Sequence, residues 1–177
     1  MSISTIRELL EIGRDDAPAL LAPGRATLSH AALRRHVDGT VKALRGFGVG
    51  RNQRIAIVLP NGPEMASAFI ALASAATTAP LNPAYRADEF DFYLSDLKPA
   101  QLVVAKGEDG PAVAVARRHG IPVLALAARD TDAAGVFDLA PATEDDAAAL
   151  SRRGRSADGA PQADDVALVL HTSGTTS

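Results

Sequence analysis

No cysteine occurs among the 177 residues. Disulfide bridges and thiolate metal sites are therefore excluded, which suits a reducing compartment. There is no excess of positive charge: 18 Lys and Arg stand against 21 Asp and Glu, a formal net charge of -3. Such a chain has no general attraction for nucleic acid or for an anionic membrane surface. No apolar run reaches the roughly 18 residues that a membrane span needs. The opening "MSISTIRELLEIGRDD" lacks a basic start followed by an apolar core, so no secretory signal is visible and a cytoplasmic location is expected. What is present is 47% apolar and 22% charged residues, the balance of a globular domain.

The apolar residues are arranged as alternating helices and strands. Leu33, Val37, Val41, Leu44 and Phe47 recur at helical spacing, with Ser29 placed to cap the first turn and Gly48 to end the helix. "RIAIVLP" is a short run rich in β-branched residues, as expected of a strand covered on both faces. In "NGPE", Asn61 is placed to cap the next helix and Glu64 to return the bond, with Pro63 tolerated in the first turn. "MASAFIALASAA" is apolar nearly all round, so that helix should be buried, and "TTAPLN" should be extended. Phe90, Tyr93, Leu94 and Leu97 form another stripe, ended by Pro99. "AQLVVA" and "IPVLAL" read as strands around a short helix that Asp109 would cap and Gly120 would stop.

Strands about 20 to 25 residues apart with helices between them predict an α/β fold, βαβ units carrying a mostly parallel sheet. Each buried aliphatic side chain contributes about 1.5–3 kcal/mol, and the segments hold enough of them for a core. Residues 1–126 read as this α/β unit. Residues 127–163, rich in Ala, Asp, Arg and Gly, read as a weakly structured connection with one short helix near "TEDDAAAL". Residues 164–177 read as a strand, "DDVALVLH", feeding a terminal loop.

That loop, "HTSGTTS", offers short hydroxyl donors at Thr172, Ser173, Thr175, Thr176 and Ser177 around Gly174, which allows close approach of backbone amides to a ligand. Donors of this kind suit phosphate oxygens. The Walker spacing G-x-x-x-x-G-K-[ST] is absent, and so is a nucleophile elbow, because His171 and Thr175 stand where glycines would be needed. The competing reading is an ordinary surface turn.

"VLHTSGTTS" resembles the phosphate-loop signature of the acyl-adenylate-forming superfamily: acyl-CoA synthetases, luciferases and peptide-synthetase adenylation domains. The signature runs Tyr/Phe-Thr/Ser-Ser-Gly-Thr-Thr-Gly, then a residue, Pro, Lys and Gly. Thr172 to Thr176 match it, and the order of the upstream segments agrees along nearly the whole chain. His171 replaces the usual aromatic residue and Ser177 the usual Gly. With "APLNPAYRADEFDFYLSD", these departures resemble the oxalate–CoA ligase branch.

The resemblance implies the N-terminal portion of an ATP-dependent, AMP-forming acid–CoA ligase, with the Pro-Lys that completes the loop lying downstream. It implies ATP, Mg2+ and coenzyme A as co-substrates and a small carboxylic acid as the acyl substrate. Thr172, Ser173, Gly174, Thr175 and Thr176 would hold the ATP phosphates, with Ser177 as an added donor. No catalytic or metal-binding residue is assigned within the chain, and the chain alone is expected to be inactive. Three alternatives stay open: a fatty-acid or aryl-acid ligase, a non-catalytic nucleotide-binding module, and a structural half of a split or truncated protein.

Other features have plainer readings. His30, His36 and His119 have no metal-ligand spacing and read as surface or capping residues. "RRGR", Arg152 to Arg155, lies beside acidic residues and reads as a solvated linker. Asp88, Glu89 and Asp91 suit the first turn of a helix.

Overall fold

The computed structural model describes residues 3–171. A short N-terminal helix, α1 (Ile6–Leu9), leads through a 3-10 turn to a two-stranded antiparallel pair, β1 (Pro18–Leu20) and β2 (Leu28–Ser29). Then follow α2 (His30–Gly46), β3 (Arg54–Val58), α3 (Pro63–Ala73), β4 (Thr77–Pro80), α4 (Ala87–Leu97), β5 (Gln101–Ala105), α5 (Pro111–Arg118), β6 (Val123–Ala127), β7 (Asp138–Pro141) and α6 (Glu144–Arg153).

The main sheet has the order β4-β3-β5-β6-β7. Its first four strands are parallel, and β7 closes the far side antiparallel to β6. This is the mostly parallel α/β sheet that the strand spacing predicts. The strands alternate their side chains between two apolar layers. Ile55, Ile57, Val103 and Leu124 meet Leu33, Val37 and Leu44 of α2 and Leu72 of α3. Ala56, Val58, Leu102 and Val104 meet Phe90, Leu94 and Leu97 of α4 and Val113 of α5. Covering on both faces explains why the central strands read as unbroken apolar runs.

Helix starts divide into side-chain caps and backbone starts. The Ser29 hydroxyl accepts from the Ala32 amide at 3.3 Å, as its position predicts. Asn61 and Asp109 do not cap. Gly62 and Gly110 stand at the N-cap positions without a side-chain bond, each followed by a proline at the first helical residue. A proline there has no N–H to satisfy, which reduces the need for a side-chain acceptor. Glu64 turns instead to Arg25, at 3.2 Å, and accepts from the Gly135 amide at 3.3 Å.

Residues 127–163 hold more structure than their composition suggests. They contain both β7 and α6, and Thr143 caps α6 through its hydroxyl. Gly135 has φ of 81°, and a Cβ on it would lie 2.7 Å from Leu20 Cδ1. Its carbonyl accepts from Ser67 Oγ at 2.6 Å, pinning this stretch to α3. His36 is half-buried rather than a surface residue: its ring meets Phe137 edge-on at 4.4 Å, and burial lowers its pKa below the ordinary value.

Candidate functional site

The site is built at the outer flank of β4. The segment 166–169 runs alongside that strand and in the same direction, bridged at Thr78 and Leu168. The Thr78 amide donates to the Ala167 carbonyl, and the Val169 amide to the Thr78 carbonyl, each at 2.9 Å. Both threonines of β4 add a hydroxyl: Thr77 Oγ1 donates to Val166 O at 2.6 Å and Thr78 Oγ1 to Ala167 O at 2.8 Å. The "DDVALVLH" strand of the sequence reading is thus a single bridge reinforced by side chains. Val169 packs on the α4–α5 layer, while Val166, Leu168 and Leu170 are 53%, 39% and 61% exposed.

Upstream, the segment is latched at the amino-terminal end of the sheet. Arg51 forks onto Asp165, with Nε and Nη2 at 2.7 and 2.8 Å from the two carboxylate oxygens. Asn52 Nδ2 and the Gln162 amide donate to the same carboxylate. These bonds, Arg51 first, hold the Asp165 pKa well below the usual carboxylate range. Arg45, buried and lowered in pKa by that burial, donates to the carbonyls of Val49, Ala75 and Gly159. From this anchored start, the parallel direction carries the chain toward the carboxyl-terminal edge of the sheet. That edge is where open α/β sheets bind their ligands.

His171 stands at the root of the loop. Its Nε2 lies 2.9 Å from Asp96 Oδ2, and its ring meets Tyr93 at 4.8 Å between centroids. Tyr93 is stacked on Tyr85 at 4.9 Å. Tyr85 is presented by the "PLNPAY" turn, in which the Asn82 side chain accepts from the Ala84 amide and its carbonyl from the Tyr85 amide. The Asp96 carboxylate at Nε2 and the Tyr93 ring thus orient the histidine just ahead of Thr172. Thr172, Ser173, Gly174, Thr175, Thr176 and Ser177 lie outside the described residues, so the structure places the root of the candidate loop and not its donors. Sequence reasoning assigned Tyr93 to the core stripe of α4 and passed over Asp96 and Tyr85. The only signal was the three-residue spacing of Tyr93 and Asp96, which puts them on one helical face.

A second concavity, of about 710 Å³, opens where the chain leaves β3 in one direction and β5 in the other, lined by Asn61, Glu64, Lys106 and Arg129 among others. Among the described residues, no group of three His, Asp or Glu side chains is arranged to hold a metal ion. No helix among the described residues is long and apolar enough to cross a membrane.

Residues 13–177 match the sequence model of a family described as AMP-binding enzyme. A probable CoA ligase of Humulus lupulus, CCL9, is 35% identical over 92% of this chain and 30% of its own length. An oxalate–CoA ligase of Arabidopsis thaliana is 34% identical over the same shares of the two chains. Among solved structures, MatB from Rhodopseudomonas palustris superposes in its apo form with a TM-score of 0.71 at 23% identity, over 97% of this chain and 33% of that one. Its ATP-bound form superposes at 0.69 and 25% identity, over 98% and 33%. The chain spans about a third of the length of these relatives.

Proposed function

Since the chain belongs to the AMP-binding enzyme family, we propose that it forms the N-terminal part of an ATP-dependent acid–CoA ligase. The observation that carries this reading is "HTSGTT" placed directly after a segment hydrogen-bonded to the flank of β4. In the proposed reaction, a carboxylate oxygen attacks the α-phosphorus of ATP and pyrophosphate leaves. The thiol of coenzyme A then attacks the acyl carbon and AMP leaves. The first step demands positioning and charge stabilisation more than covalent help from the protein. Thr172, Ser173, Thr175 and Thr176 supply hydroxyl and amide donors to the β- and γ-phosphates, Gly174 allows their close approach, and Ser177 adds a further hydroxyl. The Asp96–His171–Tyr93 contact holds the root of that loop. Mg2+, when bound, would supply charge neutralisation on the phosphates.

The favoured acyl substrate is oxalate. Its support is the 34% identity to the oxalate–CoA ligase over 92% of this chain, together with His171 and Ser177 at the two positions where the superfamily signature differs. A salicyl-AMP ligase of Mycobacterium tuberculosis, 35% identical over 50% of this chain, keeps an aryl acid as the second reading.

The test is pyrophosphate exchange into ATP by the longest product of the gene, with oxalate, a fatty acid and salicylate in parallel. Exchange with oxalate alone supports the reading. Exchange with another acid alone transfers it to that acid, and no exchange with any acid removes it. The 177-residue chain by itself is expected to release no AMP from ATP, oxalate and coenzyme A.

A further inference from the structure

The amino-terminal end of the main sheet, opposite the edge to which residues 166–171 lead, carries a crevice of about 660 Å³. It is an open, mainly polar groove, wide enough to admit a small anion. Three stretches wall it: Gly48 with Asn52–Arg54 ahead of β3, Leu97–Ala100 between α4 and β5, and Arg153 at the end of α6. Arg54, Lys98 and Arg153 all line it, and no carboxylate does. Among the described residues, none of the three forms an ion pair. In a chain of net charge -3, an acid-free group of three cations runs against the overall balance and is self-repelling.

Arg54, Lys98 and Arg153 are exposed, and each arginine is tied to the backbone by one hydrogen bond. Arg54 Nη1 donates to the Leu97 carbonyl at 2.9 Å, and Arg153 Nη1 to the Ala100 carbonyl at 2.6 Å. These acceptors flank Lys98 and Pro99, so the guanidinium groups are tied on either side of the lysine. Each keeps its remaining N–H donors without a protein partner among the described residues. Side chains already ordered in this way lose less freedom when a ligand binds.

The backbone adds a second, independent observation. Lys98 has φ of 46° and ψ of 55°, the left-handed region. It and Asn52, at φ of 60°, are the two non-glycine residues with positive φ among the described residues, and both line this crevice. Asparagine tolerates that conformation. Lysine adopts it at a cost, and here it occupies the helix-terminal position that glycine ordinarily fills without strain. What lysine supplies there and glycine cannot is a cation.

We propose that this crevice is a binding site for a small phosphate-bearing anion, separate from the loop that follows His171. Two tethered guanidinium groups offer paired donors to phosphate oxygens, and the lysine adds a point charge. A bound anion would join the start of β3, the α4–β5 turn and the end of α6.

The test is a titration of the isotope-labelled chain with inorganic pyrophosphate at constant ionic strength, read residue by residue from amide resonances. Expected are saturable shifts at Gln53, Arg54, Lys98, Ala100 and Arg153, with half-saturation below about 1 mM, the affinity range of a small anion on a few charged donors. Lys98→Gly is expected to weaken this binding at least about tenfold, one cation's share, and to raise the melting temperature of the anion-free chain, because strain and repulsion are both relieved. Arg153→Gln, which keeps a donor for Ala100 O and removes the charge, should weaken binding without unfolding the chain. Shifts confined to residues beyond His171, shifts reproduced by sodium chloride, or unchanged binding in both variants each overturn the proposal.

Discussion

The two flanks of β4 are occupied by sequences of nearly the same character and very different fates. On one side lies β3, "RIAIV", paired along the length of β4, with Ile55, Ala56 and Ile57 wholly buried. On the other lies "VALVL", held by one bridge and two threonine hydroxyls, with three of its five side chains exposed. Hydrophobicity alone does not separate a central strand from an edge. What separates them is whether both faces and both hydrogen-bonding sides find partners.

The comparison breaks most visibly in truncation. Ile57→Ala is expected to cost about 2–5 kcal/mol, while Leu168→Ala costs less than about 1 kcal/mol, both read from urea unfolding. Equal losses would mean that the outer segment is as deeply integrated as β3. Next is Arg45, whose guanidinium bridges the carbonyls of Val49, Ala75 and Gly159. Arg45→Met fills similar space without donors and should cost about 3 kcal/mol, from hydrogen bonds to a charged group. Its mark would be faster amide exchange in 156–165, upstream of the outer flank.

Thr78→Val keeps the shape of the buried side chain and removes the donor to Ala167 O. About 1 kcal/mol of stability should be lost, and exchange at the Val169 amide should rise while exchange in β3 stays unchanged. The smallest expected effect is on pH dependence. Burial lowers the His36 pKa, so on acidification the unfolded chain takes up its proton first. This contribution to stability is complete above about pH 6.5, the unfolded value, and is lost as pH falls toward the lower folded value. His36→Gln should flatten that stretch of the stability profile, and an unchanged slope would locate the dependence in other groups.

Much of the fold was legible because its signals are local. The stripe Leu33, Val37 and Leu44 is buried as its spacing predicts, and Ser29 caps as its position predicts. Illegible features depend on partners distant in the chain. β7 is a four-residue strand with alternating exposure, and it exists because β6 supplies the other half of its hydrogen bonds. Asn61 and Asp109 look like caps, yet the residue after each serves instead, since a following proline shifts the helix start by one. The site divides in the same way. The proposed donor loop stands out as a motif but lies outside the described residues, and its root does not stand out in the sequence. Asp96 and His171 are separated by 75 residues, and no local pattern joins them.

The threonines of β4 have a further consequence when the chain is considered in the order in which it is made. Among the described residues, every strand of the main sheet precedes Val166, so a nascent chain can complete β3 to β7 while the outer side of β4 is still bare. A bare strand edge invites pairing with another chain. Here the waiting edge is only four residues long, and its last residue, Pro80, has no N–H to offer a stranger. During synthesis the interval is thus guarded by brevity and by a missing donor, until Thr77 and Thr78 receive the segment meant for them.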